Sequence, residues 1–357
     1  MPFNIIRNDI TKVRADAIVN TANPKPVIGR GTDSAIYAAA GREQLLAARK
    51  EIGAIEPGQA VSTGAFALNA KYIIHTVGPV WIDGSHGERD ILRSCYANSL
   101  ALAAELKCKS IAFPVIASGI YGFPKDEALN IALAEIGKFL LTHEMRVTMV
   151  VFDRRAVELS KEIVGGIEEY IDEHAAQELR TAEYGASYLE RRRRRLEELT
   201  LFDDAVVVLE EGSADEDVMA SFDSLLPDSP FPDMSGKTLD EAVRSAGKSF
   251  QERLFELIDA SGMDDVMVYK KANIDRKVFS SIRCKPDYRP KKKTAVAFAI
   301  ALQLDMPTMQ DLLARAGIAF SPNDTFDLII GYFVTHGIYD IYEINAALFH
   351  YGQPILG

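Results

Sequence analysis

Five residues with amide, carboxylate or glycine chemistry fall close together near the start of the chain: Asn20, Asn23, Gly29, Gly31 and Asp33. Glycines let the backbone approach a ligand closely, and the first N–H groups of a helix are unpaired and point outward. This pattern favours recognition of a phosphate or diphosphate, with Asn and Asp side chains beside it for a sugar. The alternative is a connecting loop in which the glycines form turns and Asp33 caps a helix. The residues alone leave both interpretations open.

Two named phosphate-binding motifs are excluded. The sequence contains no G-x-x-x-x-G-K-[ST] motif, which excludes a P-loop. The run Gly29-x-Gly31-x-x-Ser34 differs from the dinucleotide fingerprint because Ser34 stands where the third glycine belongs.

Apolar runs and helical patterns alternate through the first 170 residues and would position this loop. The strand-like runs cover 3–6, 17–20, 60–64, 71–77, 110–115 and 146–152, and the helical patterns cover 35–52, 88–106, 125–142 and 155–171. Alternation of buried strands with helices predicts an α/β fold, a three-layer α/β/α domain with a mixed, mostly parallel sheet.

A second loop has the same strand–loop–helix setting. It contains Ser118, Gly119, Ile120, Tyr121, Gly122 and Phe123, and it is followed by Pro124, which suits the start of a helix. Asp9 lies just past the end of the first predicted strand, where α/β sheets place ligand contacts. His75, within an apolar run, is interpreted as a buried packing residue, with a catalytic base as the alternative.

Six segments in order give the sequence a family resemblance: Asn8–Thr11, Asp16–Asn23, Gly31–Ile36, Ala39–Gly41, His75–Pro79 and Ser118–Pro124. Together they resemble a macrodomain, the ADP-ribose-binding fold, over about residues 1–172. Each segment alone is common, but six in this order are specific.

The resemblance implies a role for each residue. Asp9 would accept a hydrogen bond from the adenine amino group, with Ile10 beside it, and Phe152 would stack on the adenine. The two glycine loops would hold the diphosphate. The full implied set of ligand contacts is Asp9, Ile10, Asn20, Gly29, Arg30, Gly31, Ser118, Gly119, Ile120, Tyr121, Gly122, Phe123 and Phe152.

The resemblance also implies catalysis by Asn23 and Asp33, which would face the distal ribose as in the hydrolytic branch of the family. Asp33 would orient or activate water, and Asn23 would hold the ribose hydroxyls. The expected reaction is removal of ADP-ribose from modified macromolecules, or hydrolysis of O-acyl-ADP-ribose. Hydrolytic members usually have a run of glycines after Asn23, whereas here Ile28 and Arg30 add bulk. The alternative function is a non-catalytic sensor of ADP-ribose or an NAD metabolite, coupled to a DNA-binding or protein-interaction domain.

Charge is segregated in the second half of the chain. Residues 203–241 carry twelve acidic residues and one lysine, and residues 266–293 carry ten basic residues and two acidic ones. We predict a charged helix over 174–200, an acidic linker over 203–241 and an all-α domain over 247–357. The predicted division is thus 1–172, 173–246 and 247–357.

Segment 249–318 resembles a Cro/repressor-type helix-turn-helix domain through Met267–Ala272, Ile274–Arg283, Thr294–Leu302 and Leu312–Gly317. The resemblance implies a recognition helix over 275–283 with Arg276, Lys277 and Ser280 exposed. Lys291, Lys292 and Lys293 would contact phosphates. The alternative is a protein-interaction module that keeps only the packing.

Cysteine content and hydropathy indicate which classes of protein are excluded. Three scattered cysteines without a C-x-x-C spacing argue against a disulfide framework or zinc site and fit a reducing cytoplasm. No apolar run approaches the ~18 residues of a membrane helix, and the first residues lack signal-peptide architecture. We therefore expect a cytoplasmic protein that requires no metal or cofactor and has no membrane partner.

Overall fold

The computed structural model describes residues 2–152, 163–171, 248–285 and 288–357. The described parts of 1–171 and 249–357 belong to one compact unit. The charged helix predicted over 174–200 and the acidic linker predicted over 203–241 lie outside the described residues. The domain boundaries at 172 and 247 stay a prediction.

A six-stranded sheet forms the centre of the first part. Its strands are β1 Phe3–Arg7, β2 Ala17–Thr21, β3 Ala60–Gly64, β4 Tyr72–Thr76, β5 Ser110–Phe113 and β6 Arg146–Val151, in the order β1-β6-β5-β2-β4-β3. β3 pairs antiparallel with β4, and the other pairings are parallel. The predicted mixed, mostly parallel sheet is confirmed.

Helices cover both faces of this sheet because the strands are apolar on both sides. They are α1 Thr32–Ala40, α2 Arg42–Ile52, α3 Glu88–Glu105 and α4 Lys125–Thr142. One face, with Ile18 and Ile73, packs against Ile36 and Leu45 of α1 and α2. The opposite face packs against α3 and α4 through residues that include Val19, Ile74, Phe113, Leu92 and Leu129. The three-layer arrangement is confirmed.

The single helix predicted over 35–52 is two helices. Gly41 ends α1 with a φ of 105°, and α2 begins at the next residue. An L side chain rarely adopts this backbone conformation, so glycine permits the break. Periodicity alone does not predict this break, because Ala39 and Ala40 favour continuation of the helix.

Seven helices are described after residue 248: α5 Phe250–Ser261, α6 Asp265–Lys271, α7 Arg276–Cys284, α8 Lys292–Ala301, α9 Met306–Ala314, α10 Thr325–Thr335 and α11 Ile341–His350. Most start at a side-chain cap that accepts a backbone N–H, and the capping residues are Ser249, Asp264, Asp275, Asp305, Asp324 and Asp340. These short acidic and hydroxyl side chains fix where the helices begin.

These helices share an apolar core with the α3/α4 side of the sheet. The ring of Tyr342 packs edge-on against Phe3, with centroids 5.4 Å apart. A Cβ on Gly137 of α4 would lie 2.8 Å from that tyrosine ring, so the glycine makes room for it. The buried Asn273 side chain accepts from the N–H of Phe3 and donates to its carbonyl, at 2.8 and 3.0 Å. Among the described residues, no helix is long and apolar enough to cross a membrane.

Candidate active site

The carboxylate of Asp33 lies in the first turn of α1, after the loop that leaves β2. Gly31 precedes the helix with a φ of 63°, which suits glycine. Asp33 is 3% exposed. Its Oδ1 accepts from Nδ2 of Asn20 at 2.6 Å, and its Oδ2 accepts from the N–H of Gly29 at 2.5 Å. Burial raises the pKa of Asp33, while these two hydrogen bonds and the charge of Arg49 act in the opposite direction.

Asn20 extends this contact into a buried polar chain. Its Nδ2 lies 3.1 Å from Nδ1 of His75, and Nε2 of His75 lies 2.9 Å from Oγ1 of Thr63. An amide nitrogen only donates, so Nδ1 accepts and we assign the ring proton to Nε2, which donates to Thr63. Burial, together with the charge of Arg49, lowers the pKa of His75 to about 3. His75 is therefore buried, as predicted, but it is also a neutral member of a hydrogen-bonded chain that ends on Asp33.

Arg49 of α2 is a buried cation beneath the same loop. Its side chain is 1% exposed, with Nη1 donating to the carbonyl of Gly53 at 3.0 Å and Nη2 3.4 Å from the carbonyl of Asn23. Burial lowers its pKa, and the nearby Tyr37 and Asp33 oppose that shift. Arg49 is not among the residues predicted to form the site. Its neighbours, Ala48 and Lys50, carry no signal that this arginine in particular turns inward.

Asn23 and Asp33 converge on Gly29. A Cβ on Gly29 would lie 2.7 Å from Nδ2 of Asn23 and 3.0 Å from Oδ2 of Asp33, so only glycine fits between them. Asn23 is half-buried, and its Nδ2 donates to the carbonyl of Val27 at 3.2 Å. Arg30, by contrast, is exposed. The structure thus brings together the two residues predicted to be catalytic.

The second predicted loop is ordered by its own hydrogen bonds. Ser118 Oγ donates to the carbonyl of Val115 at 2.9 Å, and the N–H of Gly122 donates to the carbonyl of Gly119 at 3.0 Å. Ile120 is 72% exposed and Tyr121 is half-buried. The ring of Phe123, predicted to contact ligand, lies instead in the core, with its centroid 4.6 Å from that of Trp81. Only the backbone of Phe123 is left at the loop.

Asp9 and Phe152 follow the carboxyl ends of β1 and β6, which are neighbouring parallel strands, so both lie at the same end of the sheet. Oδ1 of Asp9 accepts from both the N–H and the hydroxyl of Thr11, at 3.0 and 2.7 Å, and these bonds lower the pKa of Asp9. They also cap the 3-10 turn Ile10–Lys12, in which Ile10 is buried. Phe152 is 81% exposed. A charged acceptor and an aromatic face therefore flank this end of the sheet.

Three ligand-type side chains near the second loop, Asp83, His86 and Glu88, come together in a cluster. The carboxylate of Glu88 accepts from four backbone N–H groups, those of residues 82, 83, 84 and 86, at 2.7 to 3.4 Å. Burial acts against its charge, but these bonds prevail and lower the pKa of Glu88 to about 2. The Glu88 carboxylate therefore stabilises the conformation of the 82–86 loop.

The candidate nucleic-acid residues are divided by the structure. Arg276, Lys277 and Ser280 are exposed on α7, and Lys291 is exposed at the start of α8. Lys292, expected to contact phosphate, instead forms an ion pair with Asp327, whose side chain is 2% exposed. A buried carboxylate requires a partner, which explains the inward turn of this lysine. Lys293 is half-buried, and burial lowers its pKa.

Comparison with known proteins identifies the first part. A family model described as Macro domain matches residues 19–132. A macro domain-containing protein of Chlorobaculum tepidum is 46% identical over 156 residues, which cover 43% of this chain and 90% of that protein. The chain belongs to the macro domain family. This macrodomain is also 41% identical over 172 residues to a protein of Cronobacter sakazakii named O-acetyl-ADP-ribose deacetylase, covering 47% of this chain and 96% of that protein.

Among solved structures, an Oceanobacillus iheyensis macrodomain with ADP is 39% identical, and the match covers 43% of this chain and 84% of that one, with a TM-score of 0.41. The family-model match contains Asn20, Asn23, Asp33, His75 and the 118–123 loop of this macrodomain. Asp9 and Phe152 lie outside the matched residues.

The neutral, buried His75 predicts a pH dependence of stability. The pKa of His75 falls from 6.5 to about 3 on folding, so below pH 6.5 the unfolded chain binds a proton that the folded chain does not. This contribution is complete above the unfolded pKa and is lost as the pH falls toward 3. Between pH ~7.5 and pH ~5, His75 should therefore remove about 2 kcal/mol from the free energy of unfolding. Urea denaturation of wild type and His75→Gln at both pH values should show this loss in wild type only. Equal losses in both proteins would contradict the assignment.

If Asp9 accepts from the adenine amino group, as the family resemblance implies, its substitution should change which base is preferred. Asp9→Asn keeps an oxygen to cap Thr11 but would present an amide N–H₂ to that amino group in place of a carboxylate oxygen. We expect affinity for ADP-ribose, measured by calorimetry, to fall about tenfold. Inosine diphosphate ribose, which offers an oxygen acceptor at that position, should lose less affinity. Asp90→Asn on the exposed surface of α3 is the matched control, and equal loss for both ligands would count against this role for Asp9.

Proposed function

We propose that this macrodomain binds ADP-ribose and hydrolyses bonds that join its distal ribose to acyl groups or to modified macromolecules. The observation that carries the proposal is the convergence of Asn23 and Asp33 on Gly29 at the carboxyl end of β2. A relative that is 41% identical over 172 residues is named O-acetyl-ADP-ribose deacetylase, and the match covers 96% of that protein's length. This similarity supports hydrolysis of an ester on the ribose.

Binding would use the two ends of the site differently. Asp9, which is half-buried, would accept from the adenine amino group, and Phe152, which is 81% exposed, would stack on the ring. The glycine loops around Gly29–Gly31 and Ser118–Gly122 would supply backbone N–H donors to the diphosphate, together with the N-terminus of α1. Such backbone donors can hold a diphosphate without a lysine side chain.

The chemical step would centre on Asp33. Asn20 and the Gly29 N–H each occupy one lone pair of its carboxylate oxygens, and the remaining lone pairs can accept from water. In an O-acyl ester, the water oxygen bonds to the acyl carbon and the ester C–O bond breaks with its electron pair on the ribose oxygen. One water proton ends on that oxygen, and the other is released as the carboxylate product forms. Burial raises the pKa of Asp33, which brings it closer to the pH at which a base is effective.

Matched variants test this proposal. Asn23→Ala and Asp33→Ala should each lower kcat for O-acetyl-ADP-ribose about 100-fold or more, with smaller losses in ADP-ribose affinity, because both residues are assigned to the distal ribose. Asn130→Ala on the exposed surface of α4 is the control and should behave as wild type. Arg30→Gly should keep or raise kcat, because an exposed arginine in the loop adds bulk and no hydrogen bond that the step needs.

One outcome would select the alternative function. Saturable binding of ADP-ribose by wild type, without its release from Asp-, Glu-, Arg-, Ser- or base-linked substrates and without ester hydrolysis, would identify a sensor rather than a hydrolase. Absence of ADP-ribose binding would overturn the whole assignment.

A second candidate function concerns α6 and α7. They are two short helices joined by a turn at residues 272–275, and Arg276, Lys277 and Ser280 are exposed on the second. We infer that this pair binds duplex nucleic acid, with α7 entering the major groove. The capping of α7 by Asp275 fixes the start of the helix and hence the position of its first basic residues.

The full chain is the right material for the test, because the helices after residue 248 share a core with the sheet. Binding to a random duplex should fall with salt at about −0.9 log units per log unit for each phosphate neutralised. Lys291→Ala should flatten that slope, and Lys50→Ala, an exposed lysine on α2, should not. Across duplexes of different sequence, joint replacement of Arg276 and Lys277 by Ala should mainly reduce sequence preference, because α7 is proposed to enter the major groove. No shift at low salt would favour a protein-interaction module.

A further inference from the structure

A cavity of about 270 Å³ opens beside the candidate active site. Pro24, which follows Asn23, lines one side, and Tyr121 of the second loop lines another. Tyr121 lies between Gly119 and Gly122, in the loop proposed to bind the diphosphate. The cavity therefore adjoins the end of the site at which Asn23 and Asp33 meet, away from Asp9 and Phe152.

Its walls are already formed without a ligand. Glu88 accepts from the backbone of residues 82–86, which holds the outer wall in place. The N–H of Trp81 donates to the carbonyl of Tyr121 at 2.9 Å and ties that wall to the second loop. The buried Cys95 thiol donates to the carbonyl of Val77, a lining residue, at 3.2 Å. A preformed cavity binds its occupant without the cost of ordering loops.

The chemistry of the lining selects an uncharged, apolar occupant. Most of the lining side chains are hydrocarbon, among them Val77, Val80, Ile82 and Ile91. The one buried carboxylate, that of Glu88, is saturated by backbone donors and so offers little to a cation. His86, which also lines the cavity, has its Nδ1 3.1 Å from Oδ1 of Asp83, so the surface left to an occupant is mostly hydrocarbon. An acetyl group, with two carbons, would leave most of the volume empty.

We propose that this cavity binds the acyl chain of O-acyl-ADP-ribose esters longer than acetyl, and that the macrodomain hydrolyses such esters in preference to the acetyl ester. The assignment rests on the proposed hydrolase function and adds the substrate class. Each added methylene buried in the cavity should raise kcat/KM about fourfold, from the ~0.8 kcal/mol of a buried methylene at 1.36 kcal/mol per tenfold.

The test is a chain-length series on the full chain with O-acetyl-, O-propionyl- and O-butyryl-ADP-ribose. Val80→Trp should fill the cavity with a larger side chain. Because Val80 is 60% exposed, we expect the substitution to leave the fold unchanged. It should abolish the rise in kcat/KM with chain length while the acetyl ester is still hydrolysed. Val266→Trp, the same change at a 49% exposed position on α6, should keep the rise. Ile91→Ala on α3 should enlarge the cavity and shift the optimum to a longer chain.

The outcomes separate the two assignments. Hydrolysis of the acetyl ester with a flat or falling chain-length series in wild type would overturn the cavity assignment and leave the hydrolase intact. A rise that Val80→Trp does not change would overturn it as well. Faster release of ADP-ribose from aspartyl- or glutamyl-linked peptides, lost in Val80→Trp, would give the cavity to the side chain of a modified protein instead. No turnover of any ester would overturn the hydrolase function and the acyl assignment with it.

Discussion

The burial of one carboxylate, that of Asp33, constrains the architecture around it. A carboxylate that is 3% exposed needs partners from the protein, and its two hydrogen-bond donors and one nearby cation come from three elements. Asn20 reaches it from β2, the Gly29 N–H from the loop, and Arg49 acts through space from α2. Strand, loop and both helices must therefore be correctly placed for the carboxylate to be tolerated at all. The same donors aim it toward the space that Asn23 shares.

Electrostatic balance in this site comes from groups that never touch a ligand. His75 is held neutral by burial and keeps its proton on the side of Thr63, so it leaves Asn20 free to donate toward Asp33. Arg49 supplies the local positive charge without being accessible from the surface. A diphosphate approaching the loop would thus meet backbone N–H groups backed by a buried cation. Under the proposed function, binding of the diphosphate and activation of Asp33 would both depend on these buried residues.

The sheet and most helices followed from hydrophobic periodicity, because strands buried on both faces and capped helices leave strong local patterns. The break at Gly41 did not, since alanines on its N-terminal side continue a helical pattern. The burial of Arg49 and the ion pair of Lys292 were not predicted for a different reason. Whether a long basic side chain turns inward depends on carboxylates far along the chain, Asp33 for Arg49 and Asp327 for Lys292, which lie 16 and 35 positions away. Phe123 was assigned to the ligand because the family motif fixes its place in the loop but not the direction of its ring, which Trp81 sets. The motifs specified which loops form the candidate site, and tertiary packing decided which of their side chains are buried.

The side-chain amide of Asn273 makes the backbone hydrogen bonds that a neighbouring strand would otherwise make with Phe3. β1 is an outermost strand, and this side chain takes up both the N–H and the carbonyl of Phe3 at its start. During synthesis, the ribosome adds Asn273 long after Phe3, 270 residues earlier in the chain, so the nascent sheet carries an unpaired border in the meantime. That border is the place where we expect chaperones to engage the emerging polypeptide and where crowded ribosomes would promote strand exchange between copies. The helices after residue 248 therefore satisfy the backbone of Phe3, the first residue of this outermost strand, only once they are synthesised and folded.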